Sequence, residues 1–119
     1  MGVLDLEQRE WLKAQSVLEK ATQLEPTNAR ALSALGMALG NQKKYAEAIV
    51  PLEKAVELDS ASGWETHWSL AQSLVAVGRY EESAQVLREV LKKHTDGPEA
   101  ATARRFLAKL AADGKIKGQ

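Results

Sequence analysis

The segment from residue 32 to residue 55 reads LSALGMALGNQKKYAEAIVPLEKA, and its apolar and small positions recur 35 residues later. The matched positions are Leu35 and Leu70, Gly36 and Ala71, Leu39 and Leu74, Tyr45 and Tyr80, Ala48 and Ser83, Leu52 and Leu87, and Ala55 and Val90. The second half of the segment, together with Leu58 beyond it, also recurs 34 residues earlier, at Trp11, Ala14, Leu18, Ala21 and Leu24. A fixed period of this length indicates stacked supersecondary units. The chain therefore contains three copies of one unit.

Within each copy the apolar positions are spaced by 3, 4 and 7 residues, which places them on one face of an α-helix. Turn-forming residues separate the helices at 26–28, 59–63 and 96–98. Pro51 lies inside one helix, but the pattern on either side of it is unbroken, so the helix is expected to continue. We predict seven helices, over about residues 1–8, 11–25, 29–41, 45–58, 64–77, 81–93 and 98–112.

Composition fits one folded domain of 119 residues, with 45% hydrophobic and 27% charged residues. The formal net charge of +0 provides no global attraction to nucleic acid or to an anionic membrane. No apolar run is long enough to span a bilayer, and no signal peptide is visible. The cytoplasm is therefore the default expectation, although a chain with 0 cysteines suits a reducing or an oxidising compartment equally.

The repeat resembles the tetratricopeptide repeat family, whose unit follows the pattern W-x2-L-G-x2-Y and then A-x3-F. The second copy supplies Leu32, Leu35-Gly36, Leu39, Ala48 and Leu52, and the third supplies His67, Leu70-Ala71, Leu74, Ser83 and Leu87. The resemblance covers about residues 1 to 95. It implies an all-α fold, a right-handed superhelical array of antiparallel helix hairpins.

On this basis we expect a single domain over residues 1–113, with about 2.5 to 3 repeats. The expected repeats cover about 1–28, 29–62 and 64–97, followed by a capping helix at about 98–112 and a flexible tail at 114–119. Met1-Gly2 aligns with Leu35-Gly36, so the first repeat lacks the front half of its first helix. A repeat relies on its neighbour to cover its apolar face, which makes this N-terminal edge adhesive. Either the chain was cut from a longer array, or another molecule covers the edge, for example a second copy in a homodimer.

By the same resemblance, the first helix of each pair lines a concave groove in which partner peptides of the family commonly bind. The register places seven residues on that side: Arg30, Ser33, Met37, Asn41, Glu65, Trp68 and Gln72. Small neighbours, Ala34 and Ser69, leave room for a ligand. Met37 offers an adaptable apolar contact and Trp68 an aromatic anchor, although aromatic residues at helical spacing are more often core residues, and that interpretation of Trp68 stays open. We predict a scaffold or protein-interaction module that holds a protein or peptide; self-assembly through the N-terminal edge is the alternative.

Family members that bind the C-terminal tails of heat-shock chaperones clamp the tail carboxylate with Lys and Asn on their first helices. The matching positions here hold Ser33, Ala34, Met37, Glu65 and Ser69. None of these is cationic, and Glu65 would repel an acidic tail. We therefore predict that the chain does not bind heat-shock chaperone tails.

The sequence lacks the patterns that catalysis or metal binding requires. The two histidines, His67 and His94, lie in different helices, and the glycines form no phosphate-binding loop. We predict no enzymatic activity, no metal site and no cofactor. A basic C-terminal end carries Lys92, Lys93, Arg104, Arg105 and Lys109, but Phe106 is the only aromatic residue among them. Binding of nucleic acid through this end is therefore disfavoured relative to a solvated cap.

Overall fold

The computed structural model describes residues 6–58, 63–93 and 96–116. Within these residues the chain forms six α-helices and no strand. The helices are α1 (Leu6–Leu24), α2 (Ala29–Asn41), α3 (Tyr45–Leu58), α4 (Trp64–Ala76), α5 (Tyr80–Lys93) and α6 (Pro98–Ala112). The all-α prediction is confirmed, and the predicted helices at 29–41, 45–58 and 98–112 have these bounds in the structure.

Each helix packs on the next one along the chain, and α2 also packs on α4. This pattern is that of a stacked array, in which the first helices of successive repeats form one layer. The largest core cluster joins α2, α3 and α4 through Ile49 and six residues that repeat in the sequence: Leu35, Leu39, Ala48, Leu52, Leu70 and Leu74. The sequence period and the packing period are therefore the same.

The most extensive contact between helices joins α2 and α3, and a glycine permits it. A Cβ atom built on Gly36 would collide with the Cγ and Cδ2 atoms of Leu52. The matching position in the third repeat is Ala71, which is fully buried, so the α4–α5 pair accommodates the extra methyl group. Gly36 thus fixes the close approach of the central pair.

One turn recurs at the ends of α2, α4 and α6. Its left-handed residue is Lys43 (φ 64°), Gly78 (φ 85°) or Gly114 (φ 73°). In each case the next amide donates to the carbonyl five residues earlier, as in Lys44 N to Leu39 O at 2.9 Å and Lys115 N to Leu110 O at 2.9 Å. This pair of features is a Schellman motif, which satisfies carbonyl groups at a helix C-terminus. The C-terminal end of α6 therefore has the same turn as the C-terminal ends of α2 and α4, the first helices of their repeats.

The prediction of two separate helices at 1–8 and 11–25 was wrong within the described residues. The structure has one continuous helix, α1, from Leu6 to Leu24, and residues 1–5 lie outside the described part of the chain. Arg9 and Glu10 form the supposed break, yet both favour helix, and no Gly or Pro interrupts this segment. By register, α1 corresponds to the second helix of a repeat.

Pro51 lies inside α3 without ending it, as predicted. Its ring is buried. A proline inside a helix loses a backbone hydrogen bond, and burial among core residues compensates for part of that loss because apolar surface leaves water. The tertiary contacts of the repeat therefore outweigh the local preference of this residue.

The tail predicted at 114–119 does not begin where we expected it. Ile116 is buried, packing with Ala84 and Leu110, and the Lys115 ammonium lies 5.1 Å from the centre of the Tyr80 ring. Ile116 follows the recurrent turn at the position that Tyr45 and Tyr80 hold in the earlier repeats. Packed structure thus extends at least to residue 116, and residues 117–119 lie outside the described residues.

Candidate binding groove

Two adjoining cavities lie along α2 and α4, with volumes of about 610 Å³ and 590 Å³. Met37 and Glu65 line both of them. The two cavities therefore form one groove, which we call the α2–α4 groove. Volumes of this size fall within the range typical of ligand sites in proteins.

The larger cavity lies towards the C-terminal ends of α2 and α4. Gly40 and Asn41 line it from α2, Gln72 and Ala76 from α4, and the Phe106 ring from α6. The Tyr45 side chain joins them at the start of α3. This end of the groove combines apolar surface with neutral hydrogen-bonding groups.

The smaller cavity lies at the N-terminal ends of the same helices. Arg30 lines it from the first turn of α2, Trp64 and Glu65 from the first turn of α4, and Glu99 from the first turn of α6. Three of the described residues that line the groove are charged: Arg30, Glu65 and Glu99. The groove therefore carries a small excess of negative charge.

Six of the seven residues predicted for the groove line it. Arg30, Ser33, Met37 and Glu65 line the smaller cavity, and Met37, Asn41, Glu65 and Gln72 line the larger one. Ser33 also makes a contact within the protein, because its hydroxyl lies 2.6 Å from the Thr66 hydroxyl. This hydrogen bond joins α2 to α4, so Ser33 has a structural role in addition to its place in the groove.

Trp68 lines neither cavity. Its ring stacks on Trp64, with ring centres 5.1 Å apart and an interplanar angle of 20°, and meets the edge of Phe106 at 5.1 Å and 71°. The cluster packs against the buried residues Ala71, Leu87 and Ala103. Of the stacked pair, Trp64 is therefore the residue that lines the groove, and Trp68 packs between Trp64 and Phe106.

The lining residues that sequence reasoning did not select include the large or charged side chains Tyr45, Trp64, Glu99 and Phe106. Tyr45 belongs to α3, at the repeat position that matches Trp11 and Tyr80, whereas the prediction used the first helices. Trp64 is the first residue of α4, one turn before Trp68. Glu99 and Phe106 belong to α6, which we had treated as a cap. The recurrent turn after α6 is the signal that relates this helix to α2 and α4, and the glycine at residue 114 marks it in the sequence.

An ion-pair network lies outside the groove, where the α4–α5 turn meets α3. The Arg79 Nε–H donates to Glu82 Oε1 at 2.8 Å, and a guanidinium nitrogen of Arg79 lies 3.5 Å from Glu53 Oε2. The hydrogen bond from Arg79 holds the pKa of Glu82 below its ordinary value. Lys44 occupies the same turn position one repeat earlier and reaches Gln15 Oε1 of α1 at 3.3 Å. The α2–α3 turn thus contacts α1, and the α4–α5 turn contacts α3.

His67 is buried in α4, and its Nδ1 atom lies 3.2 Å from the Gly63 carbonyl oxygen. This contact spans the first turn of the helix, in agreement with a structural role. Among the described residues, no group of three or more His, Cys, Asp or Glu side chains is placed to hold a metal ion. In the same part of the chain, every helix is too short or too polar to span a bilayer.

Comparisons with known proteins agree with this architecture. A family model for the tetratricopeptide repeat matches residues 69–117, and a family model for anaphase-promoting complex, cyclosome, subunit 3, matches residues 7–90. No curated protein sequence matches the chain.

Among solved structures, the chain is similar to the TPR2B domain of yeast Sti1, determined in complex with pHsp70. The two chains superpose with a TM-score of 0.75 and share 21% sequence identity, over 90% of this chain and 87% of the other. At this identity the likeness concerns the fold. Together with the family models and the repeat register, it shows that this chain belongs to the tetratricopeptide repeat family.

Proposed function

We propose that the chain is a protein-interaction module that holds a peptide segment of a partner protein in the α2–α4 groove. The observation that supports the proposal is the pair of adjoining cavities that share Met37 and Glu65. Side chains of an extended peptide repeat along one face about every 6.5–7 Å. Two adjoining cavities therefore suit two side chains from the same face of such a peptide.

The proposal does not extend to the C-terminal tails of heat-shock chaperones, although the yeast domain of similar fold was determined with pHsp70. A tail carboxylate needs cationic donors on the first helices. Among its described lining residues, the groove offers Arg30 alone as a cation, and its two carboxylates, Glu65 and Glu99, oppose an acidic ligand. We propose a partner of another charge class.

A site-specific fluorescent label tests the location of binding, because the native chain has 0 cysteines. Asn41→Cys places the label at the exposed rim of the larger cavity. Val50→Cys places it on α3, where the side chain is 68% exposed and lines neither cavity. A degenerate library of ten-residue peptides is expected to change the emission at residue 41 and leave residue 50 unaffected. Equal responses at both positions, or none at residue 41, would contradict binding in the groove.

A second candidate function, self-assembly, is supported by the unequal burial of equivalent residues. Ala48, Leu52 and Ala55 are fully buried in α3, whereas their counterparts in α1 are only half-buried. Two further apolar side chains of α1, Val17 and Leu24, are 67% and 83% exposed. A second copy that packed on α1 would remove this apolar surface from water.

Sedimentation equilibrium over a wide concentration range tests the second candidate. A dimer is expected for the wild-type chain, and Val17→Lys should shift it to monomer. Val50→Lys is the matched control, because Val50 is equally exposed on a different helix. A wild-type chain that stays monomeric at the highest concentration would rule out assembly through α1.

A further inference from the structure

The charged side chains that line the groove indicate which charge a bound peptide should carry. Glu65 lines both cavities, and Glu99 and Arg30 line the smaller one. The cationic residues of α6 are Arg104, Arg105 and Lys109, and none of them lines either cavity. The excess side-chain charge inside the groove is thus negative. It opposes the partial positive charge of the first turns of α2, α4 and α6 and favours a cationic ligand group.

Glu65 and Glu99 have no hydrogen-bond or ion-pair partner among the described residues. Other carboxylates of the protein, those of Glu53, Glu82 and Glu89, are paired with Arg79 or Lys92. The two glutamates of the groove can therefore accept a cation from a partner without breaking an existing ion pair.

Trp64 adds an aromatic surface beside these carboxylates. One face of its indole stacks on Trp68, which fixes the ring, and part of the side chain lines the smaller cavity next to Glu65. Aromatic rings attract ammonium and guanidinium groups through the negative potential of their π-face, and tryptophan does so most strongly. The ring and the carboxylate together suit a Lys or Arg side chain.

The larger cavity has a different preference. Gly40, Asn41 and Ala76 place the C-terminal ends of α2 and α4 along it. These helix ends carry partial negative charge, which disfavours an anionic ligand group. Met37 and Phe106 provide the apolar surface of the same cavity. A neutral apolar side chain therefore fits here better than a carboxylate.

We infer that the α2–α4 groove selects a peptide segment in which a Lys or Arg residue lies two positions from an apolar residue. The cation contacts Glu65, Glu99 and Trp64, and the apolar side chain packs between Met37 and Phe106. The inference rests on the proposed function, since it names the chemical class of peptide that the groove holds.

Three pools of degenerate ten-residue peptides test the inference by fluorescence anisotropy. The pools are identical, with a fixed Leu, except for one position two residues away that is Lys, Gln or Glu. The Lys pool is expected to bind about tenfold more tightly than the Glu pool at low salt, and the difference should shrink as salt screens the charges. Glu65→Gln should weaken binding of the Lys pool about three- to tenfold. Glu47→Gln is the matched control, because Glu47 is an exposed acid outside both cavities and should leave the affinity unchanged.

The outcomes separate the charge preference from groove binding itself. Equal affinities for the three pools, or a Glu pool that binds best, would overturn the inference and leave the groove as a peptide site. An unchanged affinity of Glu65→Gln for the Lys pool would also overturn it. Failure of all three pools to bind a folded protein would overturn the inference and the proposed function together.

Discussion

Leu18 in α1 and Leu52 in α3 occupy the same position of the repeat, but their surroundings differ. Leu52 is fully buried against α2, close to Gly36, whereas Leu18 is half-buried in a helix that packs mainly on α2. The two residues are identical in sequence, so the neighbouring helices account for the difference in burial. In a stacked array the stability of a unit depends on its own contacts and on those with the next unit.

This comparison predicts an uneven distribution of stability along the chain. The central pair, α2 and α3, has neighbours on both sides, while α1 packs mainly on one. Helices with fewer buried apolar contacts open at a lower free energy than the global unfolding free energy. The free energy of opening should therefore rise from α1 to α3.

The largest expected effect comes from truncating the central leucine. Leu52→Ala should lower the free energy of unfolding by about 3–5 kcal/mol, because it leaves a cavity in a fully packed site. Leu18→Ala should lower the free energy of unfolding by about 1 kcal/mol. The half-buried Leu18 side chain removes less apolar surface from water when the protein folds, and the site can relax after the truncation. Urea unfolding followed by circular dichroism measures both values. Equal losses would show that burial in the folded state does not set the difference between the two repeats.

A smaller effect is expected at the glycine that brings α2 close to α3. Gly36→Ala should destabilise the protein by about 1–3 kcal/mol, since the added methyl group collides with Leu52. Gly40→Ala, in the same helix, meets no atom within 4 Å and should stabilise the protein by about 0.5–1 kcal/mol. Thermal unfolding of the two variants provides the comparison. A neutral Gly36→Ala variant would mean that the central pair separates as readily as the α4–α5 pair, which already carries Ala71.

The recurrent turn supplies a third test within the central repeat. Lys43 is the non-glycine member of the set, and a left-handed conformation costs such a residue about 1–2 kcal/mol. Because glycine loses more backbone entropy on folding, Lys43→Gly should give a net gain of about 0.5–1 kcal/mol. Gly78→Ala should lose about 1 kcal/mol. Chemical denaturation measures both changes, and a Lys43→Gly variant less stable than the wild type would refute the strain assigned to this turn.

The smallest effect concerns the polar contacts of the turn residues Arg79 and Lys44. Glu82 is hydrogen-bonded by Arg79, and its pKa is lowered in the folded state. Its contribution to stability is therefore present above the unfolded-state pKa and is lost as the pH falls through the lower folded-state pKa. The Gln15 contacts of α1 involve an uncharged acceptor and lack this dependence.

Urea unfolding at neutral and acidic pH distinguishes the two contacts. Glu82→Gln should reduce the stability difference between the two pH values, while Gln15→Ala should shift the stability equally at both. An unchanged pH dependence of stability in Glu82→Gln would contradict the role assigned to the Glu82 carboxylate, and the contacts of Glu82 and Gln15 would then not differ in their response to pH.

The fold was largely predictable because the repeat supplies the same information several times. Pro51 shows the strength of that redundancy: its local preference opposes a helix, yet the positions around it correctly predicted α3. The prediction failed at residues 9 and 10, where one incomplete copy was divided by analogy although no breaker is present. The end of the chain was also misjudged, because the burial of Ile116 depends on the tertiary position of α6.

The candidate groove was predicted less completely than the fold. Register alone placed Met37 and Glu65 on the side of the array where the two cavities lie, since both belong to helices whose period is clear. Register could not show that Trp68 packs between Trp64 and Phe106, because that contact depends on the position of α6 relative to α4. The contact between α4 and α6 is set by tertiary packing, and the repeat period does not encode it.

The recurrent turn has Lys43, Gly78 or Gly114 at its left-handed position, and its backbone conformation is the same after α2, α4 and α6. Each turn satisfies the same carbonyl groups. The residue that follows the left-handed position contacts an earlier helix each time: Lys44 contacts α1, Arg79 contacts α3 and Lys115 contacts the Tyr80 ring of α5. A whole unit cut and rejoined within two such turns would therefore keep both of its junctions in their native geometry. The molecule can in this way be lengthened or shortened by one period, and each change would add or remove one segment of groove.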